Sequence, residues 1–222
     1  MLIDYKICVD LIRASHGSTP KKILHVGAHT GEEAASYAQH GAEKVIWFEA
    51  NESLAPALQS HLTQFAMQQQ IVGAALWDSD TTLVFKITNN LQSSSFFDLE
   101  DHAKLYPNIT VAEERSIRAH RLDTLLDATP SEIIFSEFEF INIDTQGAEL
   151  AILKGMGNYL YQASVKAIYL EVNKRELYKG IPLVQEIDAF LLKHQFFRVK
   201  TIMTPEGWGD AIYLRSAEFS VG

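Results

Sequence analysis

The sequence has 222 residues, of which 47% are hydrophobic and 21% are charged. This composition is typical of a globular protein with enough length for one large buried core, so we expect a single domain over residues 1–222. The formal net charge is −9, and no cluster of lysine and arginine stands out. These features argue against nucleic-acid binding, which needs a concentrated basic surface.

The cysteine content and the apolar runs indicate a cytoplasmic protein. The single cysteine, Cys8, excludes an intramolecular disulfide, and we expect it to be a small buried hydrophobic residue. The N-terminus lacks the pattern of a signal peptide. No apolar run approaches the ~20 residues of a membrane-spanning helix, so we expect no membrane partner.

The first half of the chain alternates helices and strands. The segment IDYKICVDLIRAS spaces its apolar residues helically, which predicts a helical extension over residues 1–20. Apolar runs separated by one helix each then predict parallel strands with crossovers, covered by helices on both faces. In order, these segments are the strand KILHV, the helix GEEAASYAQHG, the strand KVIWFEA, the helix ESLAPALQSHLTQF and the strand QIVGAAL.

The second half begins with an irregular insert over residues 77–121, which holds the strand TTLVFKI and the polar loop TNNLQSSSF. Regular alternation then resumes. The connection between the last two strands is too short for a parallel crossover, so these strands are predicted to be antiparallel. The result is an α/β fold with a seven-stranded, mostly parallel sheet and an antiparallel last strand. The later segments are EFEFINID, GAELAILKGM, VKAIYLEV, LVQEIDAFLLKHQF, FRVKTI and DAIYLRS.

Four predicted strand ends carry a glycine or an acid. Gly27 opens the turn GAHTG, and Glu49, Asp144 and Glu171 stand at or near the ends of three later strands. Because open parallel sheets bind ligands at the carboxyl ends of their strands, this set predicts a ligand site. Glu49 follows Gly27 by 49 − 27 = 22 residues, the spacing of an acid that binds the ribose of an adenosine. The alternative is a solvated carboxylate.

The charges around the turn discriminate between adenosine ligands. His29 replaces the middle glycine of the dinucleotide motif, and Glu32 and Glu33 would repel a pyrophosphate. The ammonium and sulfonium of S-adenosylmethionine would not be repelled. The pattern therefore favours S-adenosylmethionine, and an NAD(P)-dependent Rossmann oxidoreductase is the second hypothesis. The two glutamates are also compatible with a role at the helix dipole alone.

Four motifs resemble the FkbM-type class I methyltransferases: VGAHTGEE, VIWFEAN, FINIDTQGAELAILKGM and AIYLEVNKRELYKG. Weaker matches are QSSSFFDL, RLDTLLD and WGDAIYL, so the resemblance runs from about Lys22 to Leu214. It implies a Rossmann-like class I methyltransferase fold. It also implies methyl transfer from S-adenosyl-L-methionine to a hydroxyl of a sugar, glycan or polyketide-like metabolite. A methyltransferase-like domain that binds without catalysis is the third hypothesis.

The resemblance also implies which residues bind the cofactor. His25 departs from the family pattern, because many relatives have Asp at this position. Since a histidine would hold the ammonium of the cofactor poorly, we expect Asp144 to take more of that role. The turn, the ribose-binding region, the adenine region and the fourth-strand motif correspond to Gly27, Ala28, His29, Thr30, Gly31, Glu49, Asn51, Ser53, Ala75, Asp78, Asp144 and Gln146.

Two residues are candidates for the general base. Asp144 is the first candidate, because a carboxylate at a strand end beside the sulfonium would lie near the acceptor; the alternative is a helix-capping carboxylate. His29 is the second candidate, with a solvent-facing turn residue as its alternative. We predict no metal site, because the histidines lack metal-like pairing. The acceptor and the oligomeric state stay open. Predicted substrate contacts are Ser94, Ser95, Glu171 and Trp208.

Overall fold

The structure, a computed structural model, describes residues 1–128 and 138–216. Glu137, the first residue of the predicted strand EFEFINID, lies outside the described residues. The strands are β1 (Lys22–Val26), β2 (Lys44–Glu49), β3 (Gln68–Gly73), β4 (Ala75–Leu76), β5 (Thr81–Thr88), β6 (Val111–His120), β7 (Phe140–Ile143), β8 (Ala167–Asn173), β9 (Phe196–Met203) and β10 (Trp208–Arg215). The helices are α1 (Tyr5–His16), α2 (Ala34–Gln39), α3 (Ala55–Leu62), α4 (Asp101–Leu105), α5 (Leu122–Ala128), α6 (Glu149–Gly155) and α7 (Val184–Lys193).

Seven strands form the central sheet in the order β3-β2-β1-β7-β8-β10-β9. All neighbouring strands are parallel except β10, which runs antiparallel to both β8 and β9. This topology confirms the predicted seven-stranded, mostly parallel sheet with an antiparallel last strand. The chain builds outward from β1 in one direction and from β7 in the other, so the strand order reverses between β1 and β7. A crevice forms at the carboxyl ends of strands at such a point.

Helices cover both faces of this sheet, as predicted. Along β2, Val45 and Trp47 pack in the apolar cluster that contains α1 and α3, whereas Ile46 and Phe48 pack in the cluster that contains α6 and α7. Alternate residues of a strand point to opposite faces, so a strand covered on both sides needs a continuous apolar run. Cys8 is fully buried in the first cluster, as expected.

The run QIVGAAL is two strands rather than one, which corrects the prediction. β3 ends at Gly73, the Cα partner of Glu49 in β2. The chain then leaves the central sheet, and β4 joins a second sheet in the order β4-β6-β5. Both pieces of the run are apolar, so the composition gives no sign that the chain changes sheets.

The insert over residues 77–121 is more regular than predicted. It contains β5, α4 and β6, and β5 pairs antiparallel with β6. The sequence VAEERSIRAH does not predict β6 because the strand is mostly exposed and buries only Ala119. A strand that is exposed to solvent on both faces has no alternation of apolar and polar residues to mark it.

Helix α2 begins at Ala34, later than the segment GEEAASYAQHG predicts. Gly31 has a left-handed φ of 81°, and its carbonyl accepts a hydrogen bond from the amide of Ala34 at 3.0 Å. The chain therefore turns through Glu32 and Glu33 before the first helical residue. Glu33 is the N-cap of α2 rather than part of its first turn.

Over residues 1–128 and 138–216, no helix combines the length and apolarity needed to cross a membrane. Over the same residues, no three or more histidine, cysteine, aspartate or glutamate side chains are grouped so as to hold a metal ion.

Arg215 attaches the last strand to the loop before β8. It is buried, and its guanidinium donates hydrogen bonds to the carbonyls of Leu160, Gln162 and Val165 at 2.6, 3.0 and 2.7 Å. The ring of Phe196 lies 4.3 Å below the guanidinium. These contacts join β9, β10 and the 3₁₀ turn after α6.

We expect Arg215→Met to lower the free energy of unfolding by about 2–4 kcal/mol, because each buried carbonyl left without a donor costs about 1–3 kcal/mol. Urea denaturation measures the change. Arg198→Met is the matched control, since Arg198 pairs with Asp188 at the surface at 2.9 Å and such pairs contribute about 0–1 kcal/mol. Equal losses in the two variants would contradict this role for Arg215.

Candidate active site

The turn GAHTG packs against the ends of two strands. Gly27 has a φ of 85°, and a Cβ at this position would lie 1.8 Å from the carbonyl oxygen of Asp144. The amides of Gly27 and Ala28 donate to the carbonyl of Phe48 at 2.9 and 3.0 Å. Since only glycine fits this contact and this φ, position 27 brings the ends of β1, β2 and β7 together around one crevice.

Glu49 ends β2 and holds the turn through its carboxylate. Oε2 accepts a hydrogen bond from the amide of His29 and Oε1 one from the amide of Asn51, both at 2.7 Å. Burial raises the pKa of Glu49, while the bonds from Asn51 and His29 act in the opposite direction. The predicted acid therefore lies at the edge of the crevice with both oxygens oriented by the backbone.

The side-chain amide of Asn51 is incompletely satisfied. Its Oδ1 accepts hydrogen bonds from the amide and the hydroxyl of Ser53 at 3.2 and 2.7 Å. Its Nδ2 is buried and has no hydrogen-bond partner among the described residues. Buried polar atoms are nearly always hydrogen-bonded, so this nitrogen is an unused donor on a residue that lines the crevice.

A small apolar pocket lies beside Glu49 and Asn51 over the ends of β1 and β2. His29 and Ser94, which the sequence predicts as base and substrate contact, also line it. The pocket combines apolar walls with a buried carboxylate and an unsatisfied amide, which suits a flat ring joined to hydroxyl groups. The apolar walls come from the central sheet, the turn before α3, β4, the insert and α6: Val26, Phe48, Leu54, Leu76, Phe85, Phe96 and Ile152.

A larger cleft of about 560 Å³ adjoins this pocket. Gly27, His29, Asp144 and Gln146 line both spaces, so the two meet where β1 and β7 end. The cleft extends over β8 and β10 and is more polar than the pocket. Its other walls include Glu32, Glu33, Ser93, His102, Tyr106, Glu171, Trp208 and Asp210.

Asp144 lies between the two spaces and is linked to Glu171 through Gln146. Gln146 has a φ of 54°, and its Nε2 donates to Glu171 at 2.6 Å and approaches Asp144 at 3.4 Å. Burial raises the pKa of Asp144, and the nearby carboxylates of Asp210 and Glu33 raise it further. Burial, followed by the charge of Asp144, also raises the pKa of Glu171. Both carboxyls thus keep their protons to higher pH than usual.

Glu149, rather than Asp144, holds the loop that leads into α6. Its Oε1 accepts hydrogen bonds from the amide and the hydroxyl of Thr145, each at 3.0 Å, and its Oε2 accepts one from the amide of Gly147 at 3.0 Å. This arrangement corrects the helix-capping alternative for Asp144. The carboxylate of Asp144 is left to face the crevice.

His29 and Glu32 form a pair at the rim. The His29 Nδ1 lies 2.6 Å from Oε1 of Glu32, and this hydrogen bond raises the pKa of His29. Glu32 thus engages Nδ1 of the imidazole at the rim, whereas Asp144 lies at the junction of the pocket and the cleft. The geometry therefore favours Asp144 over His29 as the base of the site.

His25 lines the cleft, but its ring takes part in a buried network. Its ring is buried, with Nδ1 3.0 Å from the hydroxyl of Tyr37 and 3.3 Å from Nδ2 of Asn142. Burial lowers the pKa of His25 and keeps the ring neutral. The His25 Nε2 lies 4.0 Å from the carboxylate of Glu33, which lines the cleft. Glu33 thus brings a negative charge to the same region from a different element.

Several predicted site residues do not reach either space. The hydroxyl of Ser95 donates to the backbone carbonyl of Gln146 at 2.7 Å, so it supports the loop from behind. The carbonyl of Asp78 accepts from Arg121 at 2.6 Å. The predicted residues outside the lining of both spaces are Ala28, Thr30, Gly31, Ser53, Ala75, Asp78 and Ser95.

Comparison with known families decides the class of the protein. The family model described as Methyltransferase FkbM domain matches residues 25–198, which include the glycine turn and the ends of β2, β7 and β8. The chain belongs to this family. A comparison with curated proteins finds no match to the sequence.

Solved structures similar to this FkbM-family protein share its fold at low sequence identity. Magnesium protoporphyrin IX methyltransferase from Synechocystis PCC 6803 is 12% identical, with a TM-score of 0.51, over 95% of this chain and 77% of that chain. Ribosomal protein L11 methylase from Lactobacillus delbrueckii subsp. bulgaricus is 9% identical, with a TM-score of 0.51, over 96% and 79%. The 1,6-didemethyltoxoflavin-N1-methyltransferase from Burkholderia thailandensis is 10% identical, with a TM-score of 0.50, over 97% and 79%.

Two cleft residues of this FkbM-family protein are not predicted from the sequence. Asp210 lies near the start of β10, and because β10 is antiparallel its first residues lie at the carboxyl edge of the parallel strands. The sequence signal for Asp210 is the segment WGD, which precedes the last apolar run. His102 lies on α4 in the insert, where no periodic pattern indicates which side chains face the cleft.

The raised pKa values in the FkbM-family cleft predict a pH-dependent stability. Ordinary carboxyls of the unfolded chain lose their protons near pH 4, whereas the folded protein keeps those of Asp144 and Glu171 to higher pH. The folded state then binds more protons, so stability falls as the pH rises from about 4 through the raised pKa values.

We expect Glu171→Gln to raise the free energy of unfolding at pH 8 and to change it little at pH 4. The gain reflects the free energy by which burial and the neighbouring carboxylates disfavour the ionised form of Glu171. Urea denaturation at the two pH values measures it, with the exposed Glu114→Gln as control. A variant that is no more stable than the wild type at pH 8 would contradict the assignment.

Proposed function

We propose that this protein is an S-adenosylmethionine-dependent O-methyltransferase that acts on a hydroxyl of a small-molecule or glycan acceptor. The observation that carries the proposal is the unsatisfied Nδ2 of Asn51 beside the Glu49 carboxylate in an apolar pocket. Membership of a methyltransferase family supports the reaction class. The solved neighbours, which include a methyltransferase with bound SAM, support the fold.

The residues of the small pocket fit the adenosine of the cofactor. The Glu49 carboxylate can accept hydrogen bonds from two ribose hydroxyls, and the Asn51 Nδ2 can donate to an acceptor atom of the nucleoside. The apolar side chains from β2 and the insert exclude water around a flat base. Glu33 and Asp144 supply negative charge for the ammonium of the methionine end.

The same residues disfavour a nicotinamide dinucleotide. The pyrophosphate of such a cofactor needs the N-terminal end of a helix free of negative charge. Here Glu33 is the N-cap of α2, and Glu32 precedes it. These two carboxylates support a cationic cofactor over NAD(P).

The reaction divides between positioning and proton transfer. When bound, S-adenosylmethionine supplies the methyl group: its carbon–sulfur bond breaks with the electron pair going to sulfur as the bond to the acceptor oxygen forms. Asp144, at the junction of pocket and cleft, accepts the hydroxyl proton of the acceptor. The insert residues Phe85, Phe96 and Ser94 cover the pocket and limit access of water. Positioning of the two reactants accounts for most of the rate enhancement.

Glu49→Gln tests the cofactor site. We expect the dissociation constant for S-adenosylmethionine to rise about 10–100-fold, because a hydrogen bond to a charged group contributes about 1.5–3 kcal/mol. Isothermal titration calorimetry measures it. Glu52→Gln is the matched control on the same loop, where Glu52 is exposed. Unchanged affinity in Glu49→Gln, or tighter binding of NAD than of S-adenosylmethionine by the wild type, would overturn the proposal.

Asp144→Asn tests the base. We expect kcat to fall about 10²–10⁴-fold, the usual contribution of a general base. A radiolabelled methyl donor offered to a panel of glycans and hydroxylated metabolites provides the assay, with the exposed Asp98→Asn as control. Full turnover in Asp144→Asn would remove this residue from the mechanism. A wild type that binds the cofactor but methylates no panel member would support the non-catalytic hypothesis.

A further inference from the structure

Two carboxylates lie directly across from each other in the cleft. Glu171 of β8 and Asp210 of β10 are Cα partners in the antiparallel pair, and both line the cleft. They are 6% and 3% exposed. Like charges directly opposite each other in a sheet are destabilising. The described residues that line the cleft include no lysine or arginine, and the one ammonium among them is the amino terminus of Met1, which lies 3.6 Å from Glu33.

The hydrogen bonds of this pair come from neutral donors. Glu171 accepts from the side-chain amide of Gln146 at 2.6 Å. Asp210 accepts from the hydroxyl of Tyr169 and from the backbone amide of Leu2. Neutral donors orient the carboxylates without compensating their charge. The single ammonium of Met1 is shared among Glu33, Asp144 and Asp210, so the carboxylates of the cleft remain in excess, and a buried charge without its own partner is costly. The pair therefore offers a binding place for a second cation.

An aromatic residue lies on the same face of β10 as Asp210 and packs against the apolar cluster of Leu177, Tyr178 and Ile181. Trp208 is the first residue of β10, two residues before Asp210, so both side chains lie on the same side of the strand. Trp208 lines the same cleft. Tryptophan is the best aromatic partner for an ammonium group, and carboxylates form charge-assisted hydrogen bonds with the same group.

A second observation, independent of the acids, indicates that a polar ligand enters the cleft. His102 of α4 lines the cleft and is 5% exposed, yet its Nδ1 has no hydrogen-bond partner among the described residues. Burial lowers the pKa of His102, which favours the neutral imidazole. The unpartnered nitrogen of this ring can bind a hydroxyl.

We infer that the acceptor is a hydroxylated molecule that carries a protonated amine, such as an amino sugar, and that Glu171, Asp210 and Trp208 bind its ammonium. This inference rests on the proposed function and adds the charge of the substrate to it. A protonated amine has no free electron pair and cannot take the methyl group. The methyl therefore goes to a hydroxyl oxygen, whose proton leaves, and the ammonium is unchanged.

The test compares ligands that differ in charge on one scaffold. Glucosamine, glucose and glucuronate are titrated into the full chain saturated with S-adenosylhomocysteine, and calorimetry gives each dissociation constant. We expect glucosamine to bind at least about tenfold more tightly than glucose, and glucuronate to bind most weakly. Glu171→Gln and Asp210→Asn should each reduce the preference for glucosamine over glucose about tenfold. Glu114→Gln, an exposed carboxylate outside the cleft, should leave the preference unchanged.

The possible results separate a failure of this inference from a failure of the proposed function. If glucosamine binds no more tightly than glucose, or if its preference survives in both cleft variants, the inference is wrong. If the wild type fails to bind S-adenosylhomocysteine in the first step, the proposed function is wrong instead. Normal binding of S-adenosylhomocysteine by the two cleft variants confirms that they are folded.

Discussion

The contact between Gly27 and the carbonyl of Asp144 is the constraint on which the site depends. A Cβ at position 27 would lie 1.8 Å from that oxygen, so the turn after β1 reaches the end of β7 only because the residue is glycine. The contact lies where the strand order of the sheet reverses. It places the turn, Glu49 and Asp144 around one crevice, with an apolar pocket on the side of β2 and a polar cleft on the side of β8. The two halves of the proposed reaction thus share a single junction.

Charge is the second organising feature, and it follows from the first. The cleft gathers carboxylates from the ends of β7 and β8 and the starts of β10 and α2 over a buried surface. Neutral donors hold Glu171 and Asp210, and the amino terminus of Met1 pairs with Glu33. Such an arrangement lowers the stability of the protein alone, because the carboxyls must either keep protons or repel one another. A cationic cofactor and a cationic acceptor relieve both costs. Ligand binding therefore explains the cluster of carboxylates better than protein stability does. The raised pKa values of Asp144 and Glu171 follow from the same cluster.

The sequence predicts the parts of this protein that repeat a strong physical pattern. Continuous apolar runs between single helices predict the parallel strands, and the spacing from Gly27 to Glu49 predicts their shared crevice. The sequence does not predict β6, because its residues are mostly exposed and therefore show no periodic pattern of apolar side chains. The orphan amide of Asn51 and the pairing of Glu171 with Asp210 depend on register and on side-chain direction, and neither can be obtained from spacing along the chain.

We propose that the crevice holds a cationic nucleoside whose ribose is bound by Glu49. A crystal structure of the protein with S-adenosylhomocysteine is the most direct test. We expect the ribose hydroxyls within about 2.5–3.0 Å of the Glu49 carboxylate, and the Nδ2 of Asn51 hydrogen-bonded to the nucleoside. A ligand bound elsewhere, or a Glu49 carboxylate that contacts only the amides of His29 and Asn51, would contradict it.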